Sequence, residues 1–152
     1  MTQTESLYEK DFYAWTQWHI KALANRTASE LDWENLRREL ECLGRQEYRE
    51  LVSRLTVLLG HLLKWELQPE RRCRSWFLTI REQRRAIERH LKRSPSLRSM
   101  QEDALADGFE GGVDLALRET SLPLRVFPEK CPYTFEQVLD KHFLCDTSTD
   151  WE

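Results

Sequence analysis

Proline and glycine are scarce in this chain: five of each in 152 residues, with Pro123, Pro128 and Pro132 crowded into one stretch. Frequent turn punctuation would mark an all-β chain, so its scarcity favours long helices. No apolar run approaches the roughly 18 residues that a membrane span requires. The opening Met1-Thr2-Gln3-Thr4-Glu5-Ser6 carries no basic region followed by an apolar stretch, which argues against a secretory signal. We therefore expect a cytoplasmic protein with no membrane partner. Four cysteines (Cys42, Cys73, Cys131, Cys145) form no Cys-x-x-Cys pair, and His19, His61, His90 and His142 lack ligand spacing. The cysteines read as free thiols in a reducing compartment, and neither a metal nor a cofactor is expected.

What is present is charge and apolar periodicity. The length suits one domain, expected to span 1–152 with its core over about 7–143 and a loose polar tail at 146–152. Hydrophobic residues make up 40% and charged residues 32%, a balance typical of helices with one solvated face. The net charge of −3 hides an asymmetry. From Arg71 to Arg98 there are ten Lys/Arg against Glu82 and Glu88, a local +8, so the rest of the chain carries −11. Blocks of opposite sign bind outside partners or each other. In a domain that is acidic overall, internal neutralisation is the expected outcome.

Tyr8, Phe12, Trp15, His19 and Ala22 recur at helical steps and predict a first helix over about 6–26. Thr27-Ala28-Ser29 makes a break, with Ser29 or Asp32 capping a second helix that carries Leu36, Leu40 and Leu43 and ends near Gly44. The clearest stripe is Tyr48, Leu51, Leu55, Leu58, Leu62 and Trp65, broad enough for a central bundle helix over 45–67. A fourth helix over 73–92 turns Trp76, Phe77, Ile80, Ile87 and Leu91 inward. A fifth over 97–120 contains Gly108, Gly111 and Gly112, each costing about 1 kcal/mol against Ala, so it is the one expected to bend or break. Residues 121–133 read as extended connection, and Thr134 with Gln137 forms a capping box for a short last helix. The fold class is thus all-α, a single-domain bundle of five or six helices.

Several runs of residues carry a resemblance. They are Tyr8-Glu9-x-Asp11-Phe12-Tyr13-x-Trp15, Asp32-x-Glu34-Asn35-Leu36, Glu39-Leu40-Glu41-x-Leu43-Gly44, and His61-Leu62-Leu63-Lys64-Trp65. The most distinctive is Gln68-Pro69-Glu70-Arg71-Arg72-x-Arg74-Ser75-Trp76-x-x-Thr79-Ile80-Arg81-Glu82-Gln83-Arg84. Leu122-Pro123 and Phe127-Pro128-x-x-Cys131-Pro132-Tyr133-Thr134 complete the set. From Leu7 to about Phe143 the chain resembles the domain-of-unknown-function family numbered twenty-nine, small helical bacterial proteins. The resemblance implies the helical fold and supplies no activity.

Two groups of polar residues stand out. At 100° per residue, Arg74, Arg81, Arg85, Arg89 and Lys92 gather on one stripe of the fourth helix, away from Ile80. Arg84 instead falls about 40° from Ile80, inside the apolar arc, where an unpaired charge would cost several kcal/mol. Burial against a carboxylate of another helix, Glu39 or Asp11, is expected. Glu47, Arg54 and His61 repeat every seven residues along one edge of the central helix, with His61 expected to hydrogen-bond a neighbouring helix. Asp11, Glu39, Arg54, His61 and Arg84 therefore read as an inward polar seam that sets helix register or holds an anion. The leading functional reading is a non-enzymatic protein-interaction module, self-associating as a homodimer. The alternative is a nucleic-acid-binding protein using the basic stripe, or a small helical ribonuclease, since Arg85 and His90 resemble the Arg-x(4–6)-His element of such enzymes. A small-molecule enzyme built on the polar seam is the third.

Overall fold

The computed structural model describes the chain from Gln3 to Glu152, with side chains from Leu7 onward. Met1 and Thr2, part of the stretch read for an export signal, lie outside the described residues. Among the described residues the structure is all-α, with no strand. Six α-helices follow in order: α1 (Gln3–Lys10), α2 (Phe12–Ala24), α3 (Trp33–Leu67), α4 (Arg74–Arg93), α5 (Gln101–Glu119) and α6 (Phe135–Leu139). No helix is long and apolar enough to cross a membrane. The chain divides into two compact units, Met1–Gln46 and Glu47–Glu152, with α3 running through both.

In the first unit, the expected single helix over 6–26 is two. The apolar period runs straight through Asp11, but its carboxylate accepts the Ala14 N–H at 2.9 Å and caps α2, so the helix restarts there. Trp15, His19 and Ala22 form the buried face of α2. The Asp32 N–H donates to His19 Nε2 at 2.9 Å, which leaves the proton on Nδ1 to reach the Trp15 carbonyl at 2.9 Å. Both ring nitrogens are therefore committed. Asp32 in turn accepts from the Trp15 indole and from Asn35, closing the start of α3.

Gly44 does not end a helix. α3, 35 residues long in all, continues through it to Leu67, and nothing lies within 4 Å of where a Cβ would stand. With no proline nearby and no left-handed backbone at that point, the stop signal is outweighed by the periodic residues on either side.

The second unit is built on the later part of α3. Leu51, Leu55, Leu58, Leu59, Leu62 and Leu63 are all buried, each contributing roughly 1.5–3 kcal/mol. α4 brings Phe77, Ile80, Ile87 and Leu91 to this core, and α5 brings Ala104, Leu105, Phe109 and Ala116. The α5 glycines do not break their helix, which runs unbroken from Gln101 to Glu119. They let α3 and α5 approach: a Cβ on Gly108 would lie 2.7 Å from Leu55 Cβ, and one on Gly112 would lie 3.0 Å from the Gly60 nitrogen. The capping box of α6 is present as expected.

The tail is not loose. Thr147 is buried, and the Trp151 ring packs against Trp65 and Phe77 with centroids 6.0 and 5.7 Å apart.

Candidate functional site

The fourth helix organises the polar chemistry of the second unit. Its apolar arc is interrupted by Arg84, which is 2% exposed. The expected carboxylate partners, Glu39 and Asp11, are not there. Nε donates to the Val138 carbonyl at 2.9 Å, Nη1 to the Cys145 carbonyl at 2.7 Å and to Thr147 Oγ1 at 3.1 Å, and Nη2 to the Phe143 carbonyl at 2.8 Å. Backbone carbonyls from the end of α6 and the segment after it replace the missing acid, because no following helical turn takes them up. Burial lowers the guanidinium's proton affinity from its ordinary value, but an arginine remains charged. A full positive charge is thus buried with its hydrogen bonds going to carbonyls and one hydroxyl, and with Asp140 and Asp146 acting on it only through space.

The basic stripe lies on the outer side of α4. Among the described residues, none of Arg74, Arg81, Arg85, Arg89 and Lys92 forms an ion pair, and neither do Glu82 and Glu88 on the same helix. The expected pairing with the acidic remainder is not found among the described residues. Some of those acids are engaged elsewhere: Glu34 and Glu41 with Arg37, Glu50 with Arg54, Glu119 with Lys64. Arg81 Nε is buried without any hydrogen-bond partner.

A family model described as "Domain of unknown function DUF29" matches residues 7–144. The chain belongs to this family. No curated protein and no solved structure gives a significant match. The DUF29 description assigns no activity, so any function must come from the side chains themselves.

Each of the five residues read as a polar seam has partners within its own unit. Asp11 caps α2, and Glu39 accepts from the Tyr8 hydroxyl at 2.5 Å. Arg54 donates to Glu50 at 3.1 Å. His61 is held by its own helix, Nδ1 lying 2.8 Å from the Val57 carbonyl, rather than by a neighbouring one. Burial keeps its imidazole below the ordinary value of 6.5, and the Lys64 ammonium acts in the same direction. Lys64, which periodicity alone hides, is itself buried, pairs with Glu119 at 2.7 Å and lies over the Trp76 ring.

The Arg85–His90 ribonuclease element fails for a simple reason. His90 is buried, with Nε2 2.8 Å from the Glu47 carbonyl and Nδ1 3.4 Å from Glu50 and 3.8 Å from Glu47. Glu47, Glu50 and His90 are the one group among the described residues whose donor atoms lie close enough to share a metal ion. Both carboxylates already face cations, Glu50 with Arg54 and Glu47 with Arg93 at 3.9 Å, and Ser94 donates to Glu47. Their charge is met without a metal, and the cluster's evident work is to tie α3 to α4.

Reading the 121–133 stretch as a mere connection missed a cleft of about 1260 Å³ between it and α5. Phe109, Val113, Leu124 and Tyr133 line it, with Cys131 at its wall. Burial raises the Cys131 thiol, and pushes that of Cys145 up to about 11, so neither is an activated nucleophile. The Phe127-Pro128 and Cys131-Pro132 pairs are the signal that could have marked it.

Proposed function

We propose that the chain is a non-enzymatic protein-interaction module that self-associates through the helices of its first unit. The observation that supports this is the apolar surface those helices leave uncovered. α2 is apolar around most of its circumference, yet Tyr13, Ile20 and Leu23 are 73%, 58% and 54% exposed. On α3, Trp33, Leu40 and Leu43 stand at 65%, 67% and 56%. A helix this apolar around most of its circumference is normally buried.

The spacing supports a second copy as the occupant. Tyr13, Thr16, Ile20 and Leu23 step by three, four and three residues, and Trp33, Leu36, Leu40 and Leu43 do the same. That is the a/d spacing by which one helix seats against another. Each stripe is about 15 Å long at 1.5 Å per residue. Two stripes of equal length and spacing on one copy suit an isologous seam with a second copy. The charges on the polar side of α3 are already satisfied along the helix, Arg37 with Glu41 at 2.5 Å and Arg38 with Glu34 at 3.8 Å. Sedimentation equilibrium is the test. A concentration-dependent dimer is expected, with Ile20→Glu/Leu40→Glu monomeric at unchanged helix content. A wild-type chain that stays monomeric at every accessible concentration overturns the proposal.

The unpaired stripe on α4 supports a second reading, nucleic-acid binding. Phosphate contacts would give an affinity that falls with salt, each contact adding roughly 0.7–0.9 to the log–log slope. Arg74 and Lys92, at the two ends of the stripe, would then matter as much as Arg81 and Arg85.

A further inference from the structure

Beneath the basic face of α4 lies a cavity of about 120 Å³. Its walls are Arg81, Arg84, Arg85 and Glu88 from the helix, and Lys141 and Thr147 from the C-terminal segment. Four of the lining residues are cations and one is a carboxylate, while Asp146, outside the lining, accepts from the Ser148 hydroxyl. None of these groups is ion-paired to another among the described residues. Arg84 bonds to carbonyls and a hydroxyl rather than to a carboxylate, and Asp140 and Asp146 favour its charge only through space. Arg81 contributes a buried Nε–H with no acceptor, an arrangement that costs about 1–3 kcal/mol in a folded protein unless something fills it. The Thr147 hydroxyl stands at the same wall, fixed by Arg84 at 3.1 Å, and Ser148 lines the cavity beside it.

We propose that this cavity binds a phosphate group. Guanidinium and ammonium groups in excess of carboxylate and an orphan N–H converge on one small space, and a tetrahedral dianion offers acceptors to each of them. The size is selective. Ligand pockets for whole drug-sized molecules run to roughly 300–1,000 Å³, so only a compact oxyanion fits inside. Arg81 and Arg85 also line a shallower cavity of about 290 Å³ with Leu78, Glu82 and Arg89. The two shared arginines join the spaces, so the phosphate of a monoester can occupy the inner one while its substituent leaves over Leu78, which is 41% exposed. Free phosphate and a phosphomonoester share this chemistry. Neither depends on self-association of the first unit.

Calorimetric titration of the full chain with inorganic phosphate and with phenyl phosphate tests the site. Saturable binding is expected, weakened about tenfold or more by Arg81→Ala, by Arg85→Ala or by Lys141→Ala, as loss of a charge-assisted bond requires. Arg74→Ala, on the same stripe but outside the cavity, should bind like wild type. Tighter phenyl phosphate identifies an ester as the ligand, and equal affinities identify free phosphate; both support the pocket. Arg84 is left intact because it holds the tail, and circular dichroism checks that each variant folds. No saturable heat with either probe overturns the proposal. So does an Arg74→Ala variant weakened as much as the others, which would make the face a general polyanion surface.

Discussion

Arg84 Nη1 lies 2.7 Å from the carbonyl oxygen of Cys145, a bond that spans 61 residues of chain. It is one of several that a single guanidinium makes to the segment from Val138 to Thr147, and it replaces the acid that a buried arginine ordinarily needs.

Arg84→Met should destabilise by at least about 3 kcal/mol, because it strands several buried acceptors at once. Arg84→Lys should recover little, since one ammonium cannot reach carbonyls arranged around a planar fork. Urea unfolding measures both. Hydrogen exchange should localise the loss to residues 140–152. Wild-type protection there in either variant would contradict the clamp.

His61 gives a pH dependence of definite sign. Its folded-state value is depressed, so the unfolded chain takes up the proton more readily. The stability it contributes is complete above its ordinary value of 6.5 and is lost as pH falls through the lower folded value. The urea midpoint should therefore drop between about pH 7.5 and about pH 5, and His61→Gln should flatten part of that drop. An identical profile in the variant would assign the drop to other groups.

The Lys64–Glu119 pair joins a buried ammonium to a half-exposed carboxylate. Glu119→Gln should cost about 1.5–3 kcal/mol, because the ammonium stays buried with a weaker acceptor. The hydrogen bond from Lys64 holds the Glu119 carboxyl below its ordinary 4.5, so this contribution disappears only in acid, well below the His61 window. The wild-type and variant unfolding curves should converge there.

Two glycine-to-alanine changes should have opposite signs. Gly44→Ala meets nothing and improves helix propensity, for a gain of up to about 1 kcal/mol. Gly108→Ala places its methyl 2.7 Å from Leu55 Cβ, an atom fixed to backbone, and should lose about 1–3 kcal/mol. Paired thermal melts decide this, and a stabilised Gly108→Ala would contradict the close approach of α3 and α5.

The helices were legible because their apolar residues repeat at helical spacing, and Arg84 betrayed its burial by sitting about 40° from Ile80. What it bonds to was not legible. A helical wheel gives a direction but not the segment that folds over that face, and the acceptors are carbonyls that every residue carries. Asp11 shows the converse: the period through Tyr8, Phe12 and Trp15 concealed a cap that its own side chain makes. The basic stripe could be drawn from spacing alone, whereas its lack of partners depends on where distant acids fold. The 124–133 wall of the large cleft has no periodicity, so nothing local announced it.

The clamp around Arg84 also sets an order of events during synthesis. The helix carrying the charge emerges well before the carbonyls that satisfy it, and at about 5–20 residues per second the 61 intervening residues take roughly 3–12 s to add. Throughout that interval the second unit cannot close over α4 without entombing a bare guanidinium. The nascent chain must leave that face wet, and a ribosome stalled before Cys145 would display a product that has its helices but not its final native packing.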